Sequence, residues 1–154
     1  MCIRDSILTA TRTSEVRFAH VDEFQDDVWI IPKERTKTGQ EHRVPLTDEA
    51  LRVLDLTSNN RQGALIFPSP TGKALSDAAM ARFMEREGYS ERPHGFRATF
   101  RTWVEEQTTT EYEVKESALG HSVDAGIVGV YQRSDRLEKR RKLMSKWARF
   151  LCSA

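Results

Sequence analysis

The sequence predicts a mainly helical α+β domain that contains one small antiparallel sheet. Two segments are rich in β-branched and apolar residues, VWII at residues 28–31 and HRVPL at residues 42–46. A polar stretch with the turn sequence Thr38-Gly39 separates them, so they are expected to pair as a hairpin with a basic tip. Most of the chain after Thr47 instead has apolar residues at helical spacing. With 154 residues, of which 38% are hydrophobic, the chain is long enough for one core.

The N-terminal elements are predicted from local signals. Ile7 and Leu8 are typical of the last turn of a helix, and we expect residues 1–6 to be a truncated or non-native segment. TSEVRFAHV, which starts at Thr13 with hydroxyls ahead of an acid, predicts a short capped helix. In the hairpin that follows, Pro32 and Pro45 predict edge positions for the two strands.

Helices are predicted for most of the remaining chain. TDEALRVLDL begins with a Thr cap and early acids, and SDAAMARFMERE with a Ser cap. Between them, LIFPSP predicts a short buried strand or an extended segment. Further helices are predicted for HGFRATFRTWVEEQ, EYEVKESALGHS, the glycine-containing DAGIVGVYQ and DRLEKRRKLMSKWARFL. In HGFRATFRTWVEEQ, Phe96, Phe100 and Trp103 share one face, and Gly120 closes the next helix.

Charge and cysteine usage limit the class of protein. The net charge is only +1, but the tail from residue 133 to residue 149 has eight basic residues against two acids, which makes it the candidate DNA-binding face. Cys2 and Cys152 lie at opposite ends, in no spacing typical of a zinc site or a disulfide framework. There is no apolar run of roughly 18 residues and no apolar signal segment. We therefore expect a soluble, cytoplasmic protein with no membrane association.

The last predicted helix has an apolar stripe that must be buried somewhere. It consists of residues at helical spacing, namely Leu137, Met144, Trp147, Ala148 and Leu151. Two alternatives remain open at this stage. The stripe docks on its own domain, in cis, or on a neighbouring copy of the chain, in trans.

Six polar residues are candidates for chemistry, although each has an ordinary explanation when taken alone. They are Arg12, Lys37, His94, Arg97, His121 and Tyr131. The first arginine and the lysine are typical of solvated surface positions, and His-x-x-Arg is typical of a capping or salt-bridging pair one helical turn apart. A histidine after Gly120 is an ordinary helix terminus, and a tyrosine in an apolar stretch usually belongs to a core.

As an ordered set, the six residues indicate an attack on a phosphodiester without a metal ion. Two guanidiniums can hold the non-bridging oxygens of a phosphoryl group as negative charge develops on them, a role that suits Arg12 and Arg97. A tyrosine is a poor nucleophile at neutral pH unless a neighbouring group takes its proton, which a histidine can do. A lysine on a hairpin, here Lys37, can protonate the departing 5′ oxygen.

The same residues lie in segments that resemble, in order, successive motifs of the phage integrase or tyrosine recombinase family. The segments are LTATRTSEVR, ERTKTGQEHRVPL, HGFRATFRTW, ALGHSV and VYQR. The resemblance runs from about Ile7 to about Leu151, with LIFPS, GKALSD and the basic tail similar to integrases of prophages and genomic islands. It implies a tyrosine recombinase catalytic-domain fold over residues 7–154.

The resemblance also implies a role for each candidate. Arg12 and Arg97 bind phosphate, Lys37 is the hairpin lysine, His94 and His121 are the two histidines, and Tyr131 is the nucleophile of a 3′-phosphotyrosyl intermediate. No cofactor or metal is implied. The implied partners are double-stranded DNA at attachment sites and other copies of the chain, forming a tetrameric synapse in the full-length protein.

The sequence departs from the family pattern in two respects. Family members usually have a glycine ahead of the first arginine and often one before the following acid, where this chain has Ala10-Thr11 and Ser14, so a stiffer turn is expected. Members also carry N-terminal DNA-binding domains, which we expect to be absent here because none fits before Ile7. For Glu15, orientation of Arg12 and stabilisation of the first helical turn are equally good explanations.

Three functions remain open. The first is DNA integration and recombination by a mobile-element enzyme. The second is a catalytically silent DNA-binding remnant, in which the basic tail supplies the affinity. The third is a topoisomerase with the same chemistry, which the integrase-like flanking motifs disfavour.

Overall fold

The structure, a computed structural model, describes residues 1–58, 63–121 and 136–153. In those ranges it has the helices α1 (Cys2–Thr9), α2 (Thr13–Arg17), α3 (Asp48–Ser58), α4 (Ala79–Arg86), α5 (Gly95–Gln107), α6 (Tyr112–Ala118) and α7 (Leu137–Cys152). The strands are β1 (Phe24–Gln25), β2 (Val28–Ile31) and β3 (His42–Pro45). This confirms the predicted α+β class with a small antiparallel sheet. The helix predicted for residues 124–132 lies outside the described residues.

The sheet has three strands rather than the predicted two. All pairs are antiparallel and the order is β1-β2-β3, with Trp29 opposite both Phe24 and Val44. The predicted edge position of the first hairpin strand is therefore wrong, because β2 is central. Pro32 lies just beyond the end of β2, so its missing N–H interrupts no hydrogen-bond ladder. The edge position predicted for β3, which contains Pro45, is confirmed within the described residues.

The helix starts were predicted with mixed success. The Thr47 cap is confirmed, since its Oγ1 accepts a hydrogen bond from the Ala50 N–H at 3.3 Å. The Ser76 cap is wrong: α4 begins only at Ala79, and the Ser76 carbonyl accepts a turn bond from the Ala79 N–H at 3.0 Å. The helix predicted from Thr13 also ends earlier than expected, at Arg17.

The segment LIFPSP adopts the extended alternative and fills the core beside the sheet. Leu65 forms an isolated antiparallel bridge with His20, and the next two side chains, Ile66 and Phe67, are buried. They join a first core cluster that contains Trp29 and Val44. The sheet is therefore covered by apolar side chains from both the N-terminal helices and this extended segment.

A second core cluster is built from aromatic residues of α5 and α7. The Trp147 ring lies 5.3 Å from Phe100 and 5.0 Å from Trp103, measured between ring centroids. Of the three aromatic residues predicted to share one face of α5, Phe100 and Trp103 are buried and Phe96 is partly buried. Because offset and edge-to-face aromatic contacts add to the burial of apolar area, this cluster is a strong attachment point for α7.

The apolar stripe of α7 docks in cis. Met144, Trp147 and Ala148 are each 1% exposed, and the Trp147 Nε1–H donates to the Ile7 carbonyl at 2.8 Å. These three side chains of the stripe are therefore covered by this chain, whereas Leu137 and Leu151 are partly buried. Within the described residues, no helix is long and apolar enough to cross a membrane.

Several basic side chains of α7 are also bound within the domain. Arg140 is 2% exposed and donates to the Arg43 carbonyl. Arg141 pairs with Asp27 through two hydrogen bonds, and Lys139 pairs with Glu111 at 2.8 Å. Much of the positive charge of the tail therefore faces acids and carbonyls of its own domain, and less of it is free for DNA than the sequence predicted.

Candidate functional site

The site is built where the N-terminus of α2 meets the start of α5 and the end of α6. Arg12, the residue before α2, donates its backbone N–H to Glu15 Oε2 at 2.7 Å and its Nη1–H to Glu15 Oε1 at 2.9 Å. The Glu15 side chain is fully buried. Both explanations offered for Glu15 therefore hold together: one carboxylate oxygen caps the helix and the other orients the Arg12 guanidinium.

Arg97 lies in the first turn of α5 and points into the domain. Its Nη1 donates to the Ala10 carbonyl at 2.5 Å and its Nη2 to the Leu119 carbonyl at 2.7 Å, and the residue is 8% exposed. Burial, followed by the nearby positive charge of Arg12, lowers the pKa of Arg97 to about 10. Two guanidiniums with little access to water form a site that favours a bound anion.

The turn between α1 and α2 presents the carbonyl that holds Arg97. Ala10 ends α1 in a left-handed conformation, with φ 52°, and is 1% exposed. This is one of the places where the family resemblance led us to expect glycine, and the predicted stiffness of the turn has a clear origin: a Cβ is unfavourable in the left-handed region.

Ala10→Gly is expected to raise the free energy of unfolding by ~1 kcal/mol, because glycine adopts a positive φ without that cost. Urea unfolding of the two proteins measures the difference. The matched control is Ala50→Gly, which removes an equally buried methyl group from inside α3. It should instead lower the free energy of unfolding by about 0.5–1 kcal/mol or more. Equal losses in both variants would contradict the explanation.

His121 completes the central group of the site. It follows Gly120, which ends the α6 segment at φ 59° as the sequence predicted. Its Nε2 lies 3.4 Å from Arg97 Nη2, and its Nδ1 lies 2.7 Å from Glu116 Oε2. Arg12 reaches the same turn, with its Nη2 3.5 Å from the Gly120 carbonyl oxygen. The fold thus brings Arg12, Arg97 and His121 together from distant parts of the sequence.

The other three candidates are placed differently. Lys37 is exposed in the turn between β2 and β3, and His94 is exposed directly before α5, one turn from the buried Arg97. Neither forms a hydrogen bond or an ion pair with any residue in the described ranges. Tyr131 lies outside the described residues.

Sequence reasoning missed two residues that lie beside this group, Glu116 and His42. Glu116 lies in α6, five residues before His121, and His42 is the first residue of β3. His42 is 7% exposed and packs against the Gly120 backbone so closely that a Cβ on Gly120 would lie 2.8 Å from the His42 Nδ1. Burial, and then the charges of Arg140, Arg97 and Arg12, lower the pKa of His42 to about 3.

His42 should therefore make the protein sensitive to acid. Its pKa in the folded state, about 3, is below the ordinary value of 6.5, so below pH 6.5 the unfolded chain binds a proton that the folded chain excludes. The contribution of His42 to the free energy of unfolding is fully present above pH 6.5. It is lost as the pH falls towards 3, at up to ~1.4 kcal/mol per pH unit. His42→Gln should lose less stability than the parent between pH 7.5 and 5.

Urea unfolding at several pH values measures this effect as the difference between the two proteins. Asp5, whose pKa burial raises to about 7, titrates in the same range in both proteins and cancels in the comparison. The control is Thr99→Gln, at an exposed residue of α5, because it introduces the same side chain without removing a titratable group. Identical pH dependences of the parent and His42→Gln would show that His42 is not the acid-sensitive group.

The sequence of this chain is similar to those of known proteins over most of its length. The model of the phage integrase family matches residues 6–138. The prophage integrase IntZ of Escherichia coli (strain K12) is 35% identical over 152 residues, which cover 95% of this chain and 38% of that protein. The chain thus spans less than half the length of this relative.

Two solved structures have a similar fold at low sequence identity. The integrase of the Tn1549 transposon, in complex with a circular intermediate DNA, matches with a TM-score of 0.67 and 14% identity, over 94% of this chain and 57% of that one. A lambda integrase tetramer bound to a Holliday junction matches with a TM-score of 0.61 and 20% identity, over 80% of this chain and 40% of that one. These matches confirm the predicted catalytic-domain fold.

Proposed function

This chain belongs to the phage integrase family, and on that basis we propose that it is the catalytic domain of a site-specific DNA recombinase, extending from residue 7 to residue 154. The observation that carries the proposal is the contact group of Arg12, Arg97 and His121. Their order along the chain is the order of the family motifs, and three separate elements hold them side by side. An arginine pair that is partly desolvated and fixed by Glu15 and backbone carbonyls is suited to a phosphate group.

The two arginines would hold the non-bridging oxygens of the scissile phosphate. Each guanidinium has five N–H donors, and the protein contacts described above leave further donors for a ligand on both Arg12 and Arg97. Because the geometry of both groups is fixed before DNA arrives, little reorganisation is needed as charge develops on the phosphoryl oxygens. His121, in contact with Arg97, lies at the edge of the same group.

The proposed reaction uses side chains alone. The Tyr131 hydroxyl oxygen attacks the phosphorus, a P–O bond to tyrosine forms, and the bond from phosphorus to the 5′ oxygen breaks. His121 or His94 accepts the tyrosine proton, and the Lys37 ammonium donates a proton to the departing 5′ oxygen. The exposed position of Lys37 in the β2–β3 turn allows it to approach DNA. Attack by the 5′ hydroxyl of a partner strand reverses these steps and rejoins the DNA.

The proposed partners are double-stranded DNA and further copies of the protein. The support is that the related Tn1549 and lambda integrase structures hold DNA, the latter as a tetramer on a Holliday junction. We propose a tetrameric synapse for the full-length protein, and a cytoplasmic site of action in a bacterium, where a prophage or genomic island would be excised and inserted.

The test is to trap the covalent intermediate on a nicked duplex. A nick next to the scissile phosphate lets the short cleaved strand diffuse away, so that religation is prevented and the protein stays attached. The duplexes carry randomised sequence around the nick, so that cleavage does not depend on one chosen attachment site. A denaturing gel should show a protein–DNA product, and mass spectrometry should place the nucleotide on Tyr131. DNA binding without any adduct would favour the silent remnant instead.

A further inference from the structure

The side chain of Glu116 is buried next to the arginine and histidine group, yet the reaction proposed above gives it no task. Its residue exposure is 7%, and one carboxylate oxygen, Oε2, lies 2.7 Å from His121 Nδ1. The other oxygen, Oε1, lies 3.2 Å from Arg101 Nη2. The carboxylate is thus held between an arginine of α5 and the histidine, and both of its oxygens are used.

We propose that Glu116 is a positioning residue that fixes the tautomer and the ring orientation of His121. The inference rests on the proposed function, in which His121 Nε2 can accept the proton of the attacking tyrosine. An ionised carboxylate only accepts hydrogen bonds, so the hydrogen shared with Glu116 must be on His121 Nδ1. In a neutral imidazole, Nε2 then carries the lone pair.

The contact on the opposite side of the ring selects the same tautomer. Arginine only donates hydrogen bonds, and Arg97 Nη2 lies 3.4 Å from His121 Nε2. A lone pair on Nε2 can accept from that guanidinium, whereas an N–H on Nε2 would point at it. The contacts with Glu116 and with Arg97 therefore both favour a hydrogen on His121 Nδ1 and a lone pair on Nε2.

The consequence is that Nε2 faces the proposed phosphate site with a defined ability to accept a proton. If His121 becomes protonated during the reaction, the carboxylate of Glu116 also stabilises the imidazolium. Without an acceptor at residue 116, the ring is free to rotate about its Cβ–Cγ bond and to place the hydrogen on either nitrogen. The backbone bond from the His121 N–H to the Glu116 carbonyl, at 3.0 Å, remains in any variant and keeps the turn in place.

The experiment compares Glu116→Gln with Glu116→Leu. Glutamine has one acceptor oxygen where glutamate has two. Arg101 is 56% exposed and can turn to water, so we expect the glutamine oxygen to accept from His121 Nδ1–H although the charge is lost, whereas leucine has a similar volume and no acceptor. The control is Glu105→Leu, which removes an exposed carboxylate that pairs with Lys115. Imidazole ¹⁵N chemical shifts of His121 report the tautomer in the free protein, and denaturing gels report the rate of adduct formation on nicked DNA.

The expected result is an Nδ1–H tautomer in the parent protein, in Glu116→Gln and in Glu105→Leu. In Glu116→Leu the Nε2–H tautomer should become populated, and adduct formation should slow by roughly 10- to 100-fold, the usual effect of removing a group that orients a functional histidine. Thermal unfolding of each variant shows whether the protein is folded under the conditions in which the rate is measured. Glu116→Gln should retain most of the parent rate of adduct formation.

Two results would overturn the proposal. One is an Nε2–H tautomer of His121 in the parent protein, a measurement that holds even if Glu116→Leu fails to fold. The other is a folded Glu116→Leu variant whose tautomer and rate match those of Glu105→Leu. Because the tautomer is measured without DNA, a chain that forms no adduct would refute the proposed function while the positioning role of Glu116 is still decided by the spectra.

Discussion

Replacing Tyr131 by phenylalanine is expected to abolish the covalent protein–DNA adduct and to leave DNA binding unchanged. The substitution removes one hydroxyl oxygen, which is the atom that forms the bond to phosphorus in the proposed reaction, and keeps the ring. No other side chain of the candidate set can replace it as the nucleophile and give a phosphotyrosyl product. The measurement is the yield of adduct on nicked duplex DNA, alongside binding by fluorescence anisotropy.

The control for this substitution is Tyr112→Phe, at a tyrosine of α6 that is 64% exposed. This variant should form the adduct as the parent does. Addition of EDTA should not change the yield for either protein, since the proposed reaction draws on side chains only. An adduct that persists in Tyr131→Phe would mean that another residue is the nucleophile, and an adduct lost on chelation would refute the proposed chemistry.

Replacing Arg97 by alanine is expected to slow adduct formation by about 10²- to 10³-fold, the loss typical of removing one donor to a developing oxyanion. The effect should be large because Arg97 is buried and its guanidinium is held by the Ala10 and Leu119 carbonyls. Water that enters after the substitution cannot supply hydrogen-bond donors in the same geometry. Single-turnover cleavage of nicked DNA measures the rate. Arg97→Lys should recover only part of it, because an ammonium cannot form paired bonds to phosphate.

The structural role of Arg97 must be separated from its role in the reaction. Loss of the two carbonyl contacts should also lower stability, so the free energy of unfolding is measured for each variant and rates are compared where all proteins are folded. Arg82→Ala, at an exposed arginine of α4, is the control and should keep both rate and stability. A folded Arg97→Ala variant that cleaves DNA within a few-fold of the parent rate would mean that Arg97 only supports the fold.

The parts of the fold that the sequence predicted well are those whose pattern is local. The strand segment VWII, the long amphipathic α7 and the glycine-closed α6 each carry their periodicity or turn signal within a few residues. Strand β1 was missed because two residues show no alternation, and its existence depends on pairing with β2. The Ser76 cap was wrong because a turn over residues 76–79 delays the helix, an outcome that a cap signal alone cannot distinguish.

The candidate site could be predicted from the sequence to the extent that it depends on the order of residue types. Arg12, Arg97 and His121 stand out as a set, and the structure brings those three together. Glu116 and His42 could not be found in the same way, because a glutamate inside a helix and a histidine in a strand are unremarkable locally. Glu116 reaches the group only where the turn after α6 brings His121 back against it and α5 supplies Arg101. His42 reaches it only where the start of β3 packs against Gly120.

Gly120 and His42 lie in close contact where the turn after α6 meets β3. Gly120 has a positive φ and has no room for a Cβ next to the His42 ring, so the α6 turn and the first residue of β3 are fitted to each other without slack. His121 directly follows Gly120 in the chain, and Lys37 lies five residues before His42 on the hairpin. The contact therefore couples two segments that are distant in sequence: a shift of His42 in β3 would displace the Gly120 backbone, and His121 with it.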